Sequence, residues 1–203
     1  SEEALGQEAG SIIVMDTQNG EILALVSHPS FDLNLLSEGA SPQAMKTFLS
    51  DRRHPLINRA IQGQYPPGST YKIVLSIAAL ETKEVLQTDS VECHGSFPFG
   101  NRIFQDWKKG GHGRVDLHRA LVESCDVYFY KIGSRLGIDT IAKFSNLFGL
   151  GRPTGIGLAS EKSGLIPSTA WKQRVLKETW YAGETLSVAI GQGYVLVTPL
   201  QMA

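Results

Sequence analysis

The sequence predicts a mixed α/β protein with antiparallel strands and packed helices. Three observations carry that class. Residues 11–26, "SIIVMDTQNGEILALV", set two runs rich in Ile, Val and Leu around Asn19-Gly20, a dipeptide suited to a hairpin turn. Residues 73–81, "IVLSIAALE", are apolar almost all round, the pattern of a buried helix. The 21 glycines and 9 prolines, scattered along the chain without repeat or low-complexity tract, fit a loop-rich α/β protein.

Taken in order, the hairpin comes first. "SPQAMKTFL" then starts a helix, with Ser41 as N-cap and Pro42 at the first helical position. The segment "YPPGSTYK", residues 65–72, stiffens its approach with two prolines and gains backbone freedom from Gly68, which places Ser69 at the entrance to the buried helix. Residues 88–114 read as an irregular stretch rich in Gly and aromatics. "DLHRALVE" is a short amphipathic helix broken at "SCD", and "VYFYKIGSRL" is a second helix ending at Gly137. "DTIAKFSNLF" is a third, capped by Asp139 and stopped near Gly149. Residues 151–168 read as loop, followed by helical turns around Trp171. At the end, Thr198, Pro199 and Gln201 form a capping-box pattern, so a helix opens just before Ala203 and more of the domain is expected beyond it.

The 203 residues are 42% hydrophobic with a net charge of -1, enough for one globular domain or most of a larger one. There is no basic run to attract nucleic acid. No apolar stretch approaches the roughly 18 residues of a membrane span, and the start is not a signal peptide, so a membrane anchor would have to lie outside these residues.

The chemistry concentrates in two short patterns. Ser69 and Lys72 form S-x-x-K, one helical turn apart and facing the same way. Serine is a weak nucleophile until a base takes its proton, and a lysine can be that base only in dry surroundings or beside positive charge. The apolar helix offers the dryness, and its N-terminus offers backbone N–H groups to a developing oxyanion. On its own, so short a pattern more often marks an ordinary cap and a surface lysine. Ser124 and Asp126, two apart at a break between helices, can aim a hydroxyl and a carboxylate into one cleft. Ser124 is placed to relay a proton between Lys72 and a leaving amine, and Asp126 to bond Lys72 or a substrate amide.

Together and in this order, the motifs resemble the penicillin-binding protein transpeptidases, whose signature pairs S-x-x-K with S-D-N and K-T-G. "GSIIVMDTQNGEILALVSHPSFDLN", "YPPGSTYK", "FQDWKKGGHG", "ESCDVYFY", "EKSGLIP" and "AIGQGYVLVTPLQMA" are similar to the elongation-specific, penicillin-binding protein 2 branch of class B, across the whole chain. The resemblance implies the α/β penicillin-recognising fold, an antiparallel sheet sandwiched by helices. Residues 1–203 would form a partial transpeptidase domain without its third-motif strands. It implies D,D-transpeptidation in peptidoglycan synthesis, with Ser69 as acylated nucleophile, Lys72 as general base, and Ser124 and Asp126 as second motif, where many relatives carry Asn at the last position. It also implies stem peptides ending in D-Ala-D-Ala as substrates, β-lactams as acylating mimics, and no cofactor for the chemistry. The implied setting is the periplasmic face of the bacterial cytoplasmic membrane, reached by an N-terminal anchor, beside an elongation-machinery glycosyltransferase. A serine β-lactamase or D,D-carboxypeptidase, a β-lactam sensor, and a fragment inactive on its own remain alternatives.

Lys162-Ser163-Gly164 imitates the third motif, but it lies in a loop bounded by proline and glycine, so Lys162 is read as a decoy. Residues 88–125 also hold Cys93, His94, Asp106, His112 and Cys125. Two thiolates, an imidazole and a carboxylate suit tetrahedral zinc, with Cys93, Asp106, His112 and Cys125 as preferred ligands and His94 in reserve. The spacing matches no compact zinc signature, and two free thiols or a Cys93–Cys125 disulfide stand beside zinc as readings. "GLGRPTGIG" lacks the strand-to-helix context of a nucleotide loop. Trp107, Trp171 and Trp180 read as packing residues, and "DWKKGGHGR" as a solvated basic loop with a possible glycan contact.

Overall fold

The computed structural model describes residues 2–31, 34, 39 and 41–203. In chain order, the first described elements are α1 (Glu2–Leu5), β1 (Gly10–Met15), β2 (Ile22–His28), α2 (Pro42–Leu49) and α3 (Arg59–Gln62). After a 3-10 turn (Gly68–Tyr71) come α4 (Lys72–Glu81), β3 (Ser90–Cys93), β4 (Ser96–Phe99), β5 (Arg102–Gln105) and β6 (Gly113–Asp116). The remaining helices are α5 (Leu117–Val122), α6 (Asp126–Leu147), α7 (Thr169–Val175), α8 (Ala182–Ala189) and α9 (Pro199–Met202). They fall into two compact units. The first comprises Ser1–Tyr65, Pro153–Ser163 and Thr198–Ala203; the second comprises Pro66–Arg152 and Gly164–Val197.

In the first unit, β1 and β2 pair antiparallel with Ile12 opposite Val26 and Ile13 opposite Leu25, and the register shifts between Val14 and Met15. The loop between them closes where the Asp16 amide donates to the Glu21 carbonyl at 2.8 Å, and Gly20 takes the left-handed conformation at φ 77° that Asn-Gly foreshadows. Ala60, Ile61 and Leu200 form the buried centre, against which Ile13, Met15, Ile22, Leu25 and Ile156 pack. At α2, Pro42 is the first helical residue and the Ser41 carbonyl accepts from the Met45 amide, as an N-cap does. The expected capping box forms at α9: Thr198 Oγ1 accepts from the Gln201 amide, and Gln201 Oε1 accepts from the Thr198 amide.

The second unit is built on α4, α6 and α8. Val74, Leu75, Ala78 and Ala79 of α4 are buried, as are Val127, Phe129, Ile132 and Ile141 of α6 and Leu186 and Val188 of α8. A Cβ on Gly133 would stand 2.5 Å from the Ala189 Cβ, so only glycine lets α6 and α8 come this close. The expected break at Gly137 is a kink within α6, where φ 70° and ψ 160° interrupt the helix.

Several elements differ from the sequence expectation. Ser69 does stand at the entrance to the buried helix, but within a 3-10 turn whose cap position is Pro67. The stretch 88–114 is not irregular: β3 pairs with β6 and β4 with β5, both antiparallel. Strands of four residues are too short to show an alternation, yet Gly100-Asn101 between Phe99 and Arg102 is a recognised hairpin signal. Helix α8 was not anticipated, because its apolar positions are interrupted by Gly183, Glu184, Thr185 and Ser187. Asp139 does not cap its own helix; its carboxylate accepts from Thr169 N and Oγ1 at the start of α7. The three ladders among the described residues are separate two-stranded pairs.

Candidate active site

Ser69, Lys72, Ser124 and Asp126 all belong to the second unit and converge. The 3-10 turn presents Ser69 and passes directly into α4, which carries Lys72 inward until it is only 1% exposed. Opposite them, α5 ends at Val122 and α6 begins at Asp126; Ser124, between the two, takes φ 55°, a conformation that few non-glycine residues adopt. That turn aims the hydroxyl and the carboxylate the same way. Ser124 Oγ lies 2.8 Å from Ser69 Oγ and 3.0 Å from Lys72 Nζ. Lys72 Nζ also donates to the Ser124 carbonyl at 2.9 Å and to Asp126 Oδ1 at 2.6 Å.

The result is a continuous chain, Ser69 to Ser124 to Lys72 to Asp126, with Lys72 reaching the first serine through the second. Three acceptors surround the amine, one for each N–H of an ammonium, and the Phe129 ring lies 5.3 Å from Nζ. Burial of Lys72 thus comes paired with a carboxylate, the first of the two partners expected for Asp126.

These groups open on a cleft of about 400 Å³ lined by Gly68, Ser69, Trp107, Ser124, Asp126, Ile190 and Gln192. Three of its features escaped the sequence. Trp107 is not a packing residue: it is 65% exposed, and its Nε1 donates to the carbonyls of Glu123 and Ser124, 3.2 Å each, which steadies the Ser124 turn. Gly191 accepts from the Gly68 amide at 2.9 Å, and a Cβ there would stand 2.1 Å from the Gly68 oxygen. The loop after α8 therefore buttresses the turn bearing Ser69, and the only signal for this was the glycine spacing in "GQG". Gln192 completes that wall. Trp171 and Trp180 do pack, both against Tyr194.

Behind the Ser124 turn, ligating atoms of Cys93, Asp106 and Cys125 lie within 4.8 Å of one another, all buried. Asp106 Oδ2 accepts from the Val127 amide at 3.0 Å and from the two thiols at 3.6 and 3.5 Å. Its Oδ1 accepts from the Lys108 amide and faces His112 Nε2 at 3.1 Å. His112 Nδ1 is held by Glu123 Oε2 at 2.8 Å. His94 is exposed and outside this cluster. The two cysteines are not joined in a disulfide. Burial raises the Asp106 carboxyl, but hydrogen bonds from Val127, Lys108 and His112 outweigh it and hold the group below the usual range. Burial pushes the Cys125 thiol well above its ordinary value. Of the four ligands expected, three converge; His112 stands outside that group, its Nε2 against the far oxygen of Asp106, so a zinc ion here would need that ring to turn from the carboxylate to the metal. In "DWKKGGHGR", residues 107–110 are exposed turn, as the solvated-loop reading has it, while Asp106 and His112 are buried and a Cβ on Gly111 would meet the Cys93 oxygen at 2.1 Å, so the segment is a folded strap pinned over the cluster.

Lys162 lies in the first unit, outside any strand, with its amide donating to the Ile61 carbonyl. Among the described residues, no helix is long and apolar enough to cross a membrane.

The family description "Penicillin binding protein transpeptidase domain" matches residues 10–203. The chain is 44% identical over 205 residues to the peptidoglycan D,D-transpeptidase MrdA of Salmonella typhimurium, covering 99% of this chain and 33% of that protein. It is 42% identical over 204 residues to MrdA of Haemophilus influenzae, covering 99% and 31%. The chain thus spans about a third of the length of these curated relatives. Among solved structures, Pseudomonas aeruginosa PBP2 in complex with WCK 5153 matches with a TM-score of 0.95 and 38% identity, over 99% of this chain and 44% of that one. The penicillin-binding protein PBP2 of Helicobacter pylori, in complex with MreC, matches at 0.96 and 37%, over 99% and 38%. Sequence and fold agree from residue 10 to the last: the chain belongs to the penicillin-binding protein transpeptidase family.

Proposed function

We propose that this chain carries the acylation machinery of a peptidoglycan D,D-transpeptidase of the elongation-specific type. The observation that supports this best is the hydrogen-bonded series Ser69–Ser124–Lys72–Asp126 at the mouth of one cleft. Ser69 Oγ attacks the carbonyl between the two terminal D-Ala residues of a stem peptide. Its proton passes to Ser124, which passes its own to Lys72, and the return of a proton by the same route releases D-Ala as a neutral amine. A second stem's amine then resolves the acyl-enzyme and forms the cross-link. Lys72 acts as base in its unprotonated form, held toward Ser124 by its contact with Asp126. The Gly68 amide is spent on Gly191, which leaves the Ser69 amide, next in the same turn, as the backbone N–H suited to the oxyanion.

On this account β-lactams acylate Ser69 as substrate mimics, and no cofactor enters the chemistry. Lys162 takes no part in catalysis; residues 1–203 are part of a transpeptidase domain, and a K-[ST]-G strand from elsewhere in the full-length protein completes the site. The protein works on the periplasmic face of the cytoplasmic membrane, held by an N-terminal anchor and paired with a glycosyltransferase of the elongation machinery. The experiment is to acylate the full-length protein with labelled penicillin and follow release. Label retained for many minutes, together with cross-linking of stem peptides, is the expected result. Rapid turnover indicates a β-lactamase or carboxypeptidase; lasting label without cross-linking indicates a sensor; absence of label overturns the assignment.

We further propose that Cys93, Asp106, His112 and Cys125 hold a structural zinc that braces the Ser124 turn from behind. Purified protein is expected to contain about one zinc per chain. Metal-free protein with free thiols and unchanged thermal stability after chelation would remove the site.

A further inference from the structure

A cavity of about 220 Å³ in the second unit lies between Tyr128, Lys131, Ile132 and Arg135 of α6, Val91 of β3 and the loop from α4 to β3. The spacing of three and four residues puts the α6 members on one face of that helix. None of these residues lines the Ser69 cleft or belongs to the proton relay. Tyr128 is 1% exposed, and among the described residues its hydroxyl has no hydrogen-bond partner. Burial pushes its ionisation up to about 12, so the group is a neutral O–H donor. The charges of Asp89 and Arg135, both on the cavity wall, also act on it, which puts the hydroxyl on the cavity side of its ring. Buried hydroxyls are normally bonded, and one left unmet on a cavity wall marks the place of a ligand.

The other polar groups of the wall set the chemistry of that ligand. Asp89 Oδ2 accepts from the Leu86 amide at 2.9 Å, and Ser90 Oγ accepts from Arg114 Nε at 2.9 Å. Arg135 gives one N–H to the Glu84 carbonyl at 3.1 Å. The half-buried Lys131 has no hydrogen-bond or ion-pair partner for its ammonium among the described residues. Lys131 and Arg135 against Asp89 leave one net positive charge, which suits a monoanion better than a phosphate dianion. An ammonium, a guanidinium with N–H groups to spare and a neutral hydroxyl are donors for a carboxylate, and Val85, Val91 and Ile132 offer contact to an apolar body. The volume is below the roughly 300–1,000 Å³ of sites for drug-sized ligands, so the occupant is small.

We infer that this cavity binds a small carboxylic acid as its anion, with Tyr128 and Lys131 donating to the carboxylate, Arg135 beside it, and Val85, Val91 and Ile132 against its apolar body. A plain carboxylic acid and a free amino acid share this chemistry. Asp89, whose Oδ1 is not engaged among the described residues, suits the ammonium that only the amino acid carries. The site lies behind the relay: the Tyr128 ring packs edge-on against Phe129 at 5.6 Å, and the Phe129 ring lies 5.3 Å from Lys72 Nζ. Binding here is noncovalent and does not depend on the transpeptidase assignment.

The test is a ligand-observed NMR titration of the full-length protein with three probes of one carbon skeleton: 3-methylbutanoate, its amide, and free valine. Saturable binding of a carboxylate probe, with none of the amide, is the expected result, and treatment with penicillin beforehand should leave it unchanged. Tyr128→Phe and Lys131→Met should each raise the Kd by about tenfold, the scale of one lost charged hydrogen bond. Valine bound more tightly than the plain acid, with the difference lost in Asp89→Asn, identifies a free amino acid; the plain acid bound as well or better identifies that source instead. Without ligand, Tyr128→Phe should melt no lower than wild type, because the hydroxyl gives up no bond. A variant that melts well below wild type would mean that a structural water already takes the hydroxyl, and would overturn the inference. So would failure of both carboxylates to bind, an amide that binds equally well, binding unchanged in both Tyr128→Phe and Lys131→Met, or binding abolished by penicillin.

Discussion

Asp126→Asn isolates the electrostatic half of the site. The substitution keeps the shape and a carbonyl acceptor for Lys72 while removing the charge now 2.6 Å from Nζ. At an effective dielectric of about 20 that separation corresponds to roughly 6 kcal/mol of attraction, an upper bound because desolvation opposes it. A more conservative measure is the difference between a charged and a neutral hydrogen bond, about 1–2 kcal/mol. Lys72 is 1% exposed and the Asp126 side chain 14%, so solvent screens little of this. Asp126→Asn leaves the bonds from Lys72 to Ser124 in place but takes away its charged partner. The variant is expected to lose about 1–2 kcal/mol or more in denaturant titration of the full-length protein, and to acylate penicillin more slowly in stopped flow because the amine is held less firmly toward Ser124. A variant as stable as wild type and acylated at the same rate would refute the reasoning that Asp126 holds Lys72 in place.

Ser124→Ala should lower the acylation rate by roughly 10²–10³-fold, the scale of a lost proton relay, with thermal stability little changed; a rate within a fewfold of wild type would mean that Lys72 reaches Ser69 without it. Gly191→Ala should destabilise the protein by about 2–4 kcal/mol in denaturant titration and abolish acylation, since the added carbon meets the Gly68 backbone and φ 71° disfavours it. Hydrogen bonds from Arg119 and His112 hold the Glu123 carboxyl down at about 2, against an ordinary 4.5. Its stabilisation is therefore complete above about pH 4.5 and lost as pH falls toward 2, and Glu123→Gln should flatten that part of the melting-temperature profile.

Much of this was legible wherever a local rule fixes the backbone. Asn19-Gly20 specified the hairpin, Thr198 with Gln201 the capping box, and Gly137 the kink, because each acts within a few residues. The spacing of Ser69 and Lys72 placed the two on one turn, and Ser124 with Asp126 marked the turn that faces them. What the sequence hid depends on contacts between distant segments. Nothing near Gly191 says that it must touch Gly68, and nothing near Trp107 says that its indole will hold the Ser124 carbonyl. Of the four short strands between Ser90 and Asp116, β4 and β5 pair across a turn, while β3 and β6 pair across the whole of that hairpin, and none shows a periodicity of its own. Cys93, Asp106 and Cys125 are separated along the chain, and only that folded strap brings their ligating atoms together.

The most direct measurement is peptide mapping by mass spectrometry of the full-length protein after penicillin treatment. A single adduct on the peptide bearing Ser69, absent from Ser69→Ala, is the predicted result. An adduct that survives in Ser69→Ala, or one that maps to Ser124 or to another residue in the wild type, would contradict the assignment of the nucleophile and every step built upon it.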